Sequence, residues 1–280
     1  MIFASDLDQT LIYSLRSMGS EHEERDLIPA ESKDGKTLSY MAVRALYLLR
    51  ELSERAMFVP VTTRTIAQYG RIHILQDLIK PKYAVTSNGG NLLIDGEPDR
   101  SWNRNICRQI ESECAPSEQV QKLFQEIASP EWVIGERFCD EMFFAYVIDR
   151  KRMPIEAVKE LAARLAKEGW ETSIQGRKVY LVPRVVNKRD ALLHLQELEG
   201  KEIRIASGDS LLDRCMLDIA AHAIAPRHGE LYREHQADPI EQNYLFTNRS
   251  GILAAVEILE SAAELLSGEK KAALQSGARG

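Results

Sequence analysis

Two carboxylates near the amino terminus, Asp6 and Asp8, have the type and spacing for phosphoryl-transfer chemistry. They follow the apolar run Ile2-Phe3-Ala4, and residues two apart on an extended backbone point the same way. Two carboxylates this close cannot both ionise easily, so we expect one pKa to rise and the other to fall. With a divalent cation on Asp6, that residue is the ionised nucleophile and Asp8 carries the proton. An N-cap cluster before a helix is the structural alternative.

Polar residues also follow the later segments that are predicted to be buried strands. Strands at 2–5, 56–61, 83–86 and 202–207 alternate with helices, among them 41–54 and 65–79. Such alternation predicts a doubly wound parallel sheet, in which ligands bind beyond the carboxyl ends of the strands. The polar residues at those ends are Thr62, Arg64, Asn88, Asp209 and Asp213. We expect them to meet Asp6 and Asp8 at one edge of the sheet.

These residue types suit the binding of a phosphoryl group and Mg²⁺, which prefers oxygen ligands. The expected metal site comprises Asp6, the Asp8 carbonyl and Asp209, with Asp213 orienting the ligands. Acidic capping of a helix amino terminus would equally explain Asp209 and Asp213.

Cations and a hydroxyl group complete the candidate site. Lys188 is placed to hold Asp6 and the phosphoryl oxygens, and Thr62 to donate its hydroxyl to that group. Arg64 is placed to bind a second polar part of the substrate. A lone lysine is more often a solvated surface charge, and an arginine often forms a surface ion pair.

Two further segments are expected to enclose this edge of the sheet. Asp34-Gly35 lies between extended segments and predicts a β-hairpin flap. Residues 92–186 read as a smaller α+β unit inserted into the parallel pattern, which resumes at 187. Charges near its turns are candidate substrate contacts, namely Arg137, Asp140, Glu141, Arg177 and Lys178. Residues 267–280 are expected to form a flexible tail.

Composition narrows the classes of function. The net charge of −6 argues against broad binding to nucleic acid phosphates. No apolar stretch approaches membrane-spanning length, and no Gly-x-Gly-x-x-Gly follows the first strand, as a nicotinamide oxidoreductase would need. The four cysteines form no Cys-x-x-Cys pair, so we expect reduced thiols in a cytoplasmic protein.

The order of the motifs resembles the haloacid dehalogenase (HAD) superfamily of Mg²⁺-dependent phosphatases. The motifs are Asp6-Leu7-Asp8-Gln9-Thr10, Thr62-Thr63-Arg64, Lys188, and Gly208-Asp209 through Asp213. The position of the insert, and the run Thr86-Ser87-Asn88-Gly89-Gly90 before it, resemble the Cof-type and sucrose-phosphatase-like branch. This resemblance implies a discontinuous core of 1–91 and 187–266 and a cap of 92–186.

The resemblance also implies the role of each site residue. Asp6 would be the nucleophile, Asp8 the acid and base, and Thr62 and Lys188 the phosphoryl-binding groups. Asp6, Asp8 and Asp209 would hold Mg²⁺, with Asp213 as the supporting acid. Two positions depart from the family pattern, because Gln9 replaces a usual glycine and Leu212 a frequent asparagine.

The function predicted from these features is hydrolysis of a small phosphorylated metabolite, a sugar phosphate or a nucleotide-like ester, through an aspartyl-phosphate. The alternatives are a phosphomutase on the same scaffold and a catalytically silent ligand-binding protein. A bisphosphate activator requirement would separate a mutase from a phosphatase.

Overall fold

A computed structural model of the chain describes residues 1–20, 24–239 and 244–277, with the side chains of residues 24 and 269–277 outside the description. The strands are β1 Ile2–Ser5, β2 Leu27–Lys33, β3 Lys36–Ala42, β4 Met57–Pro60, β5 Tyr83–Thr86, β6 Asn91–Ile94, β7 Glu97–Pro98, β8 Val133–Cys139, β9 Phe143–Ile148, β10 Trp170–Gln175, β11 Lys178–Pro183, β12 Ile203–Ser207, β13 His222–Ala225 and β14 Tyr244–Phe246. The α-helices are α1 Val43–Ser53, α2 Ile66–Tyr69, α3 Arg100–Glu113, α4 Ser117–Gln125, α5 Ile155–Lys167, α6 Lys188–Glu199, α7 Arg214–Leu217, α8 Glu230–Ala237 and α9 Ile252–Gly277.

The central sheet is parallel and has the order β14-β13-β12-β1-β4. Every residue of β1 is buried, because helices cover both faces of the sheet. Ile2 and Ala4 pack into one apolar cluster with α6, and Phe3 packs into the other with α1 and α9. The predicted doubly wound α/β core with an inserted α+β cap is confirmed.

Pro60 lies in β4, although proline is rare inside a sheet. The N–H of Val61 donates to the Ser5 carbonyl at 2.8 Å, so β4 keeps its bond to β1 there. Alternate N–H groups face opposite neighbours, and the missing N–H of Pro60 therefore faces β5. There the pairing is limited to the isolated bridge between Val61 and Val85.

The predicted hairpin flap is confirmed by the antiparallel pair β2–β3. Asp34 and Gly35 both have positive φ, 51° and 73°, as the tight turn requires.

The helix predicted over 65–79 is wrong in its continuity. The α2 helix ends at Tyr69, and a separate π-helical segment spans Ile74–Ile79. Thr65 caps α2 through a capping box with Gln68, and Gly70 follows the last helical residue. Helix propensity is low at glycine, which gives the break a local cause.

The inserted cap contains the antiparallel sheet β10-β11-β9-β8 with helices α3, α4 and α5. Strand β6 pairs with β5 of the core, so residue 92 falls inside a strand that is shared with the core. The boundaries at 92 and 186 stay a prediction.

The carboxyl-terminal part departs from the sequence reading in two elements. Helix α8 was not predicted, and α9 continues to Gly277 although a flexible tail was expected from Ser267. The segment after Ser267 is rich in Glu, Lys, Ala and Leu, all good helix formers, which accounts for the longer helix. Residues 278–280 of the predicted tail lie outside the described residues.

Candidate active site

A buried lysine joins two of the predicted acids at the carboxyl ends of β1 and β12. The Lys188 Nζ lies 2.7 Å from Asp6 Oδ1 and 2.5 Å from Asp213 Oδ1, and it also donates to the Val61 carbonyl at 3.1 Å. Lys188 begins α6, where the side chain of Asn187 caps the helix by accepting from Asp190 N. The structure thus brings together three residues that are up to 207 positions apart.

The loop after β12 is organised by Asp213. Its Oδ2 accepts hydrogen bonds from the backbone N–H groups of Asp209 and Ser210 and from the Ser210 hydroxyl. The same carboxylate packs against Gly208, where a Cβ atom would lie 2.4 Å from the Asp213 Cβ. The side chain of Asp213 therefore fixes the loop that presents Asp209.

Leu212 stands where an asparagine is frequent in the family. It packs against the apolar cluster on one side of the sheet and contributes no amide to the site.

The residues at this edge fit a magnesium ion. Asp6, Asp209 and Asp213 each offer a carboxylate oxygen, and these atoms lie within 4.8 Å of one another. Both oxygens of Asp213 are already engaged, whereas no hydrogen-bond donor of the described residues reaches the Asp209 carboxylate. Asp6 and Asp209 are accordingly the best-placed side-chain ligands, with Asp213 in the supporting role.

Among the described residues, the Asp8 carboxylate is hydrogen-bonded to Arg64 and not to Lys188. The Arg64 Nε and Nη2 donate to the two Asp8 oxygens at 2.7 and 2.9 Å, while Nη1 donates to Glu31 at 2.7 Å. Of the two predicted roles of Asp8 in metal binding, the backbone carbonyl fits this geometry better than the side chain. Arg64 is thus bound by two carboxylates, but it also lines the cleft, and its contact with a substrate stays a prediction.

The pKa values of Asp6 and Asp8 separate, as predicted. The prediction, made with a cation on Asp6, gave the lower value to Asp6, whereas the protein groups around the two acids give the lower value to Asp8. Burial raises the pKa of Asp6 to about 7, with Asp213 adding to the effect and Lys188 opposing it. Burial also acts to raise the pKa of Asp8, yet the charge and hydrogen bonds of Arg64 outweigh it and hold that pKa below its usual value. Burial and the neighbouring acids raise the pKa of Asp209 well above its usual value. A cation between Asp6 and Asp209 would favour their ionised forms.

Thr62 and Asn88 occupy the ends of β4 and β5, next to the cap. Thr62 N donates to the Val85 carbonyl, and its Oγ1 accepts from Arg64 N at 3.2 Å. The Asn88 side chain does not face the cleft, because its Nδ2 donates to the Val186 carbonyl at 2.9 Å. The prediction that Asn88 binds substrate is therefore not supported by its orientation; its bond instead holds the chain segment that leads to Lys188.

A cleft of about 530 Å³ extends from Asp6 between the hairpin flap and the cap. Arg177 and Lys178, at the turn between β10 and β11, both line it, and their contact with a substrate stays a prediction. The Lys178 Nζ donates to the Tyr180 hydroxyl at 3.1 Å and lies over its ring. Glu31 and Arg16 also line this cleft, although neither was a candidate from the sequence.

Gln9 has a left-handed backbone, with φ of 62°, which explains why a glycine is usual there. Its carbonyl accepts hydrogen bonds from the Tyr13 hydroxyl and from His228 Nε2, both at 2.9 Å. His228 Nδ1 accepts from Gly251 N, so the proton belongs on Nε2. Two hydrogen bonds thus support a conformation that is unfavourable for a residue with a Cβ atom.

Four features together define a phosphatase of the HAD type. They are the acid directly after the first strand, the buried lysine on a crossover helix, the acidic loop after β12 and the inserted cap. A family model described as sucrose-6F-phosphate phosphohydrolase matches residues 1–258. The chain belongs to this family and is a phosphoric monoester hydrolase.

Solved structures of the same fold share little sequence with the chain. A sucrose-phosphatase from Synechocystis sp. PCC6803, in complex with sucrose and phosphate, has 18% identity and a TM-score of 0.69 over 95% of this chain and 97% of its own. A protein of Thermoplasma acidophilum has 15% identity and a TM-score of 0.59, covering 94% and 98%. The trehalose-6-phosphate phosphatase C-terminal domain of C. albicans has 14% identity and a TM-score of 0.55, covering 95% and 91%.

A search of the curated proteins gave no match to this sequence. Among the described residues, no helix is both long and apolar enough to span a membrane.

Proposed function

We propose that the protein is a Mg²⁺-dependent sugar phosphatase that works through an aspartyl-phosphate on Asp6. The observation that carries the proposal is the convergence of Asp6, Lys188, Asp209 and Asp213 at one edge of the sheet. The family match supports a phosphate monoester as the substrate.

In the first step, an oxygen of Asp6 forms a bond to phosphorus while the ester P–O bond breaks. Arg64 lowers the pKa of Asp8, and the negative charge of the bound phosphate ester would raise that pKa again, so that Asp8 takes up a proton with the substrate. Asp8 then gives this proton to the departing sugar oxygen, so the leaving group is an alcohol rather than an alkoxide. In the second step, Asp8 takes a proton from water, whose oxygen attacks phosphorus. The bond between phosphorus and Asp6 then breaks, which releases inorganic phosphate and restores the carboxylate.

Lys188 holds the reacting oxygen of Asp6 in place and supplies positive charge beside the phosphoryl oxygens. Its distance of 2.7 Å to Asp6 and its complete burial favour this role, because charge interactions are strong where water is excluded. Thr62 lies on the adjacent strand end and would donate its hydroxyl to the same group. Asp6, the Asp8 carbonyl and Asp209 would hold Mg²⁺, which stabilises the negative charge of the transferring phosphoryl group.

We propose a hydroxyl-rich leaving group for three reasons. The family is that of sucrose-6F-phosphate phosphohydrolases, and the Synechocystis relative was solved with sucrose and phosphate. The cleft of about 530 Å³ has the size of a small-molecule site. It is lined by polar groups that include Ser14, Arg16 and Arg177, which suit sugar hydroxyls.

The four free cysteines favour a cytoplasmic location.

Phosphate release from a panel of sugar phosphates and nucleotides, with and without Mg²⁺, tests this proposal. We expect Mg²⁺-dependent release that is fastest with a sugar phosphate, and loss of release in EDTA. Full activity in the chelator would contradict the metal site, a preference for nucleotides would contradict the substrate class, and a bisphosphate requirement would indicate a mutase.

A further inference from the structure

Glu31, on strand β2 of the hairpin flap, is a buried carboxylate that the mechanism above does not use. Its side chain is only 3% exposed and forms ion pairs with two arginines of the core. Arg64 Nη1 donates to Oε2 at 2.7 Å, and the Nε and Nη2 of Arg71 lie 3.0 and 2.8 Å from Oε1. A charged side chain is buried in this way only when it is fully paired.

An irregularity in β2 points Glu31 into the cleft. The pairing with β3 shifts register on both sides of Glu31, and the adjacent Ala30 and Glu31 are both buried. In a regular strand, neighbouring side chains point to opposite faces, so both could not face inward. A β-bulge re-aims one side chain, and such bulges are frequent beside active sites.

The ion pair of Glu31 fixes the orientation of the guanidinium that holds Asp8. Arg64 binds both oxygens of Asp8 through Nε and Nη2, and Glu31 through Nη1. A guanidinium is planar and rigid, so three bound nitrogens determine both its position and its plane. Movement of the Asp8 carboxylate away from this position breaks its two hydrogen bonds to Arg64, and Glu31 keeps Arg64 in place through Nη1.

We infer that Glu31 is a positioning residue for the acid–base group Asp8, acting through Arg64. This inference rests on the proposed function, because it assumes that Asp8 protonates the leaving oxygen. Two carboxylates and two arginines balance in charge within the group. Removal of Glu31 leaves Arg64 Nη1 without its acceptor, and a misplacement of Asp8 by about 1 Å is enough to slow the reaction strongly.

The test compares two substrates whose leaving groups differ in their need for a proton. Departure of a sugar alcohol requires the acid, whereas p-nitrophenyl phosphate releases a stable phenolate without it. The value of kcat/KM reports the first step, in which the leaving group departs. We expect Glu31→Gln to lower kcat/KM for the best sugar phosphate of the panel by about tenfold or more, and to change that for p-nitrophenyl phosphate by less than about twofold.

Two comparisons separate positioning from a general structural defect. Asp8→Asn should show the same selective loss, about 100-fold, and the double variant should lose no more than Asp8→Asn alone. The variant Glu31→Gln/Arg71→Gln, which removes one charge of each sign, should keep the selectivity of Glu31→Gln. Glu51→Gln, an exposed glutamate of α1, should match the wild type with both substrates.

Each failure has its own meaning. If Asp8→Asn slows both substrates equally, the proposed acid role of Asp8 fails. If Asp8→Asn is selective but Glu31→Gln is not, or if Arg71→Gln alone reproduces the selectivity, the inference about Glu31 is overturned while the proposed function stands. A retained kcat/KM for p-nitrophenyl phosphate shows directly that Glu31→Gln is folded. Asp8→Asn also lacks the base of the second step, so its fold is checked by circular dichroism instead.

Discussion

At the scale of single residues, the site has more negative than positive side chains, and a bound cation would neutralise the difference. Lys188 is the one cation within hydrogen-bond distance of Asp6 among the described residues, while Asp209 and Asp213 lie close by. Three buried acids with one lysine leave an excess of negative charge, which is the setting that a divalent cation neutralises. Burial, with a smaller contribution from the neighbouring acids, raises the pKa values of Asp6 and Asp209.

Replacement of Lys188 by methionine tests this balance. Loss of one electrostatic donor at a reacting centre should lower kcat/KM about 100- to 1,000-fold. Removal of one partner from a buried ion pair should lower the free energy of unfolding by about 3–5 kcal/mol, because Asp6 and Asp213 lose their cation. Phosphate-release kinetics and urea denaturation measure the two effects. Lys151→Met, at an exposed lysine, is the control, and a kinetic loss below about tenfold would contradict the proposed role of Lys188.

At the scale of elements, the site is built from the carboxyl ends of neighbouring strands. Asp6 follows β1 and Asp209 follows β12, and the two strands pair in register from Phe3 to Ser5. An ion bound by both acids links two loops that are about 200 residues apart in the sequence. Binding of Mg²⁺ should therefore stabilise the fold as well as permit the reaction.

Thermal unfolding with and without Mg²⁺ measures this link without any substrate. At a concentration of 100 times the dissociation constant, Mg²⁺ should stabilise the native state by about 2.7 kcal/mol. For a chain of this size, that corresponds to a rise in Tm of several degrees. Asp209→Asn should lose the gain, whereas the exposed Asp77→Asn should keep it. An equal gain in Asp209→Asn would show that the ion binds elsewhere.

Sequence reasoning located the strands that carry chemistry, because buried strands ending in polar residues leave a clear pattern. Asp6, Lys188, Asp209 and Asp213 follow from that pattern and do come together. Glu31 could not be predicted, since a bulge turns it inward and its partners are 33 and 40 residues away.

For the same reason the bonds of Arg64 to Asp8 and of Asn88 to the Val186 carbonyl could not be predicted, because the strand pattern does not contain side-chain directions. The positive φ of Gln9 is the exception, because a departure from glycine at a motif position is visible in the sequence.

At the scale of the whole molecule, the cap is joined to the core through Asp140, in the turn between β8 and β9. Its Oδ2 accepts hydrogen bonds from Ile66 N at 2.9 Å, from the Ser87 hydroxyl at 2.5 Å and from Asn91 Nδ2 at 3.3 Å. These donors lie at the start of α2 and beside the end of β5. We expect this contact to set the position of the cap, and with it that of Arg177 and Lys178, which line the cleft.

Loss of this contact should loosen the cap. We expect Asp140→Ala to raise KM for the sugar phosphate and to lower the free energy of unfolding by about 1–3 kcal/mol, since three donors lose their acceptor. Steady-state kinetics and urea denaturation measure both effects. Glu141→Ala, the exposed neighbour in the same turn, is the matched control. An unchanged KM in Asp140→Ala would show that this contact does not set the position of the cap.

The central claim is that Asp6 itself carries the phosphoryl group. Acid quenching during turnover, followed by mass spectrometry of the peptides, examines that claim most directly, because acid preserves an acyl phosphate long enough to locate it. We predict a phosphate adduct on Asp6 in the wild-type enzyme, more of it in Asp8→Asn, and none in Asp6→Asn, which should also release no phosphate. Phosphate release by Asp6→Asn at the wild-type rate, or an adduct on a different residue, would contradict the account.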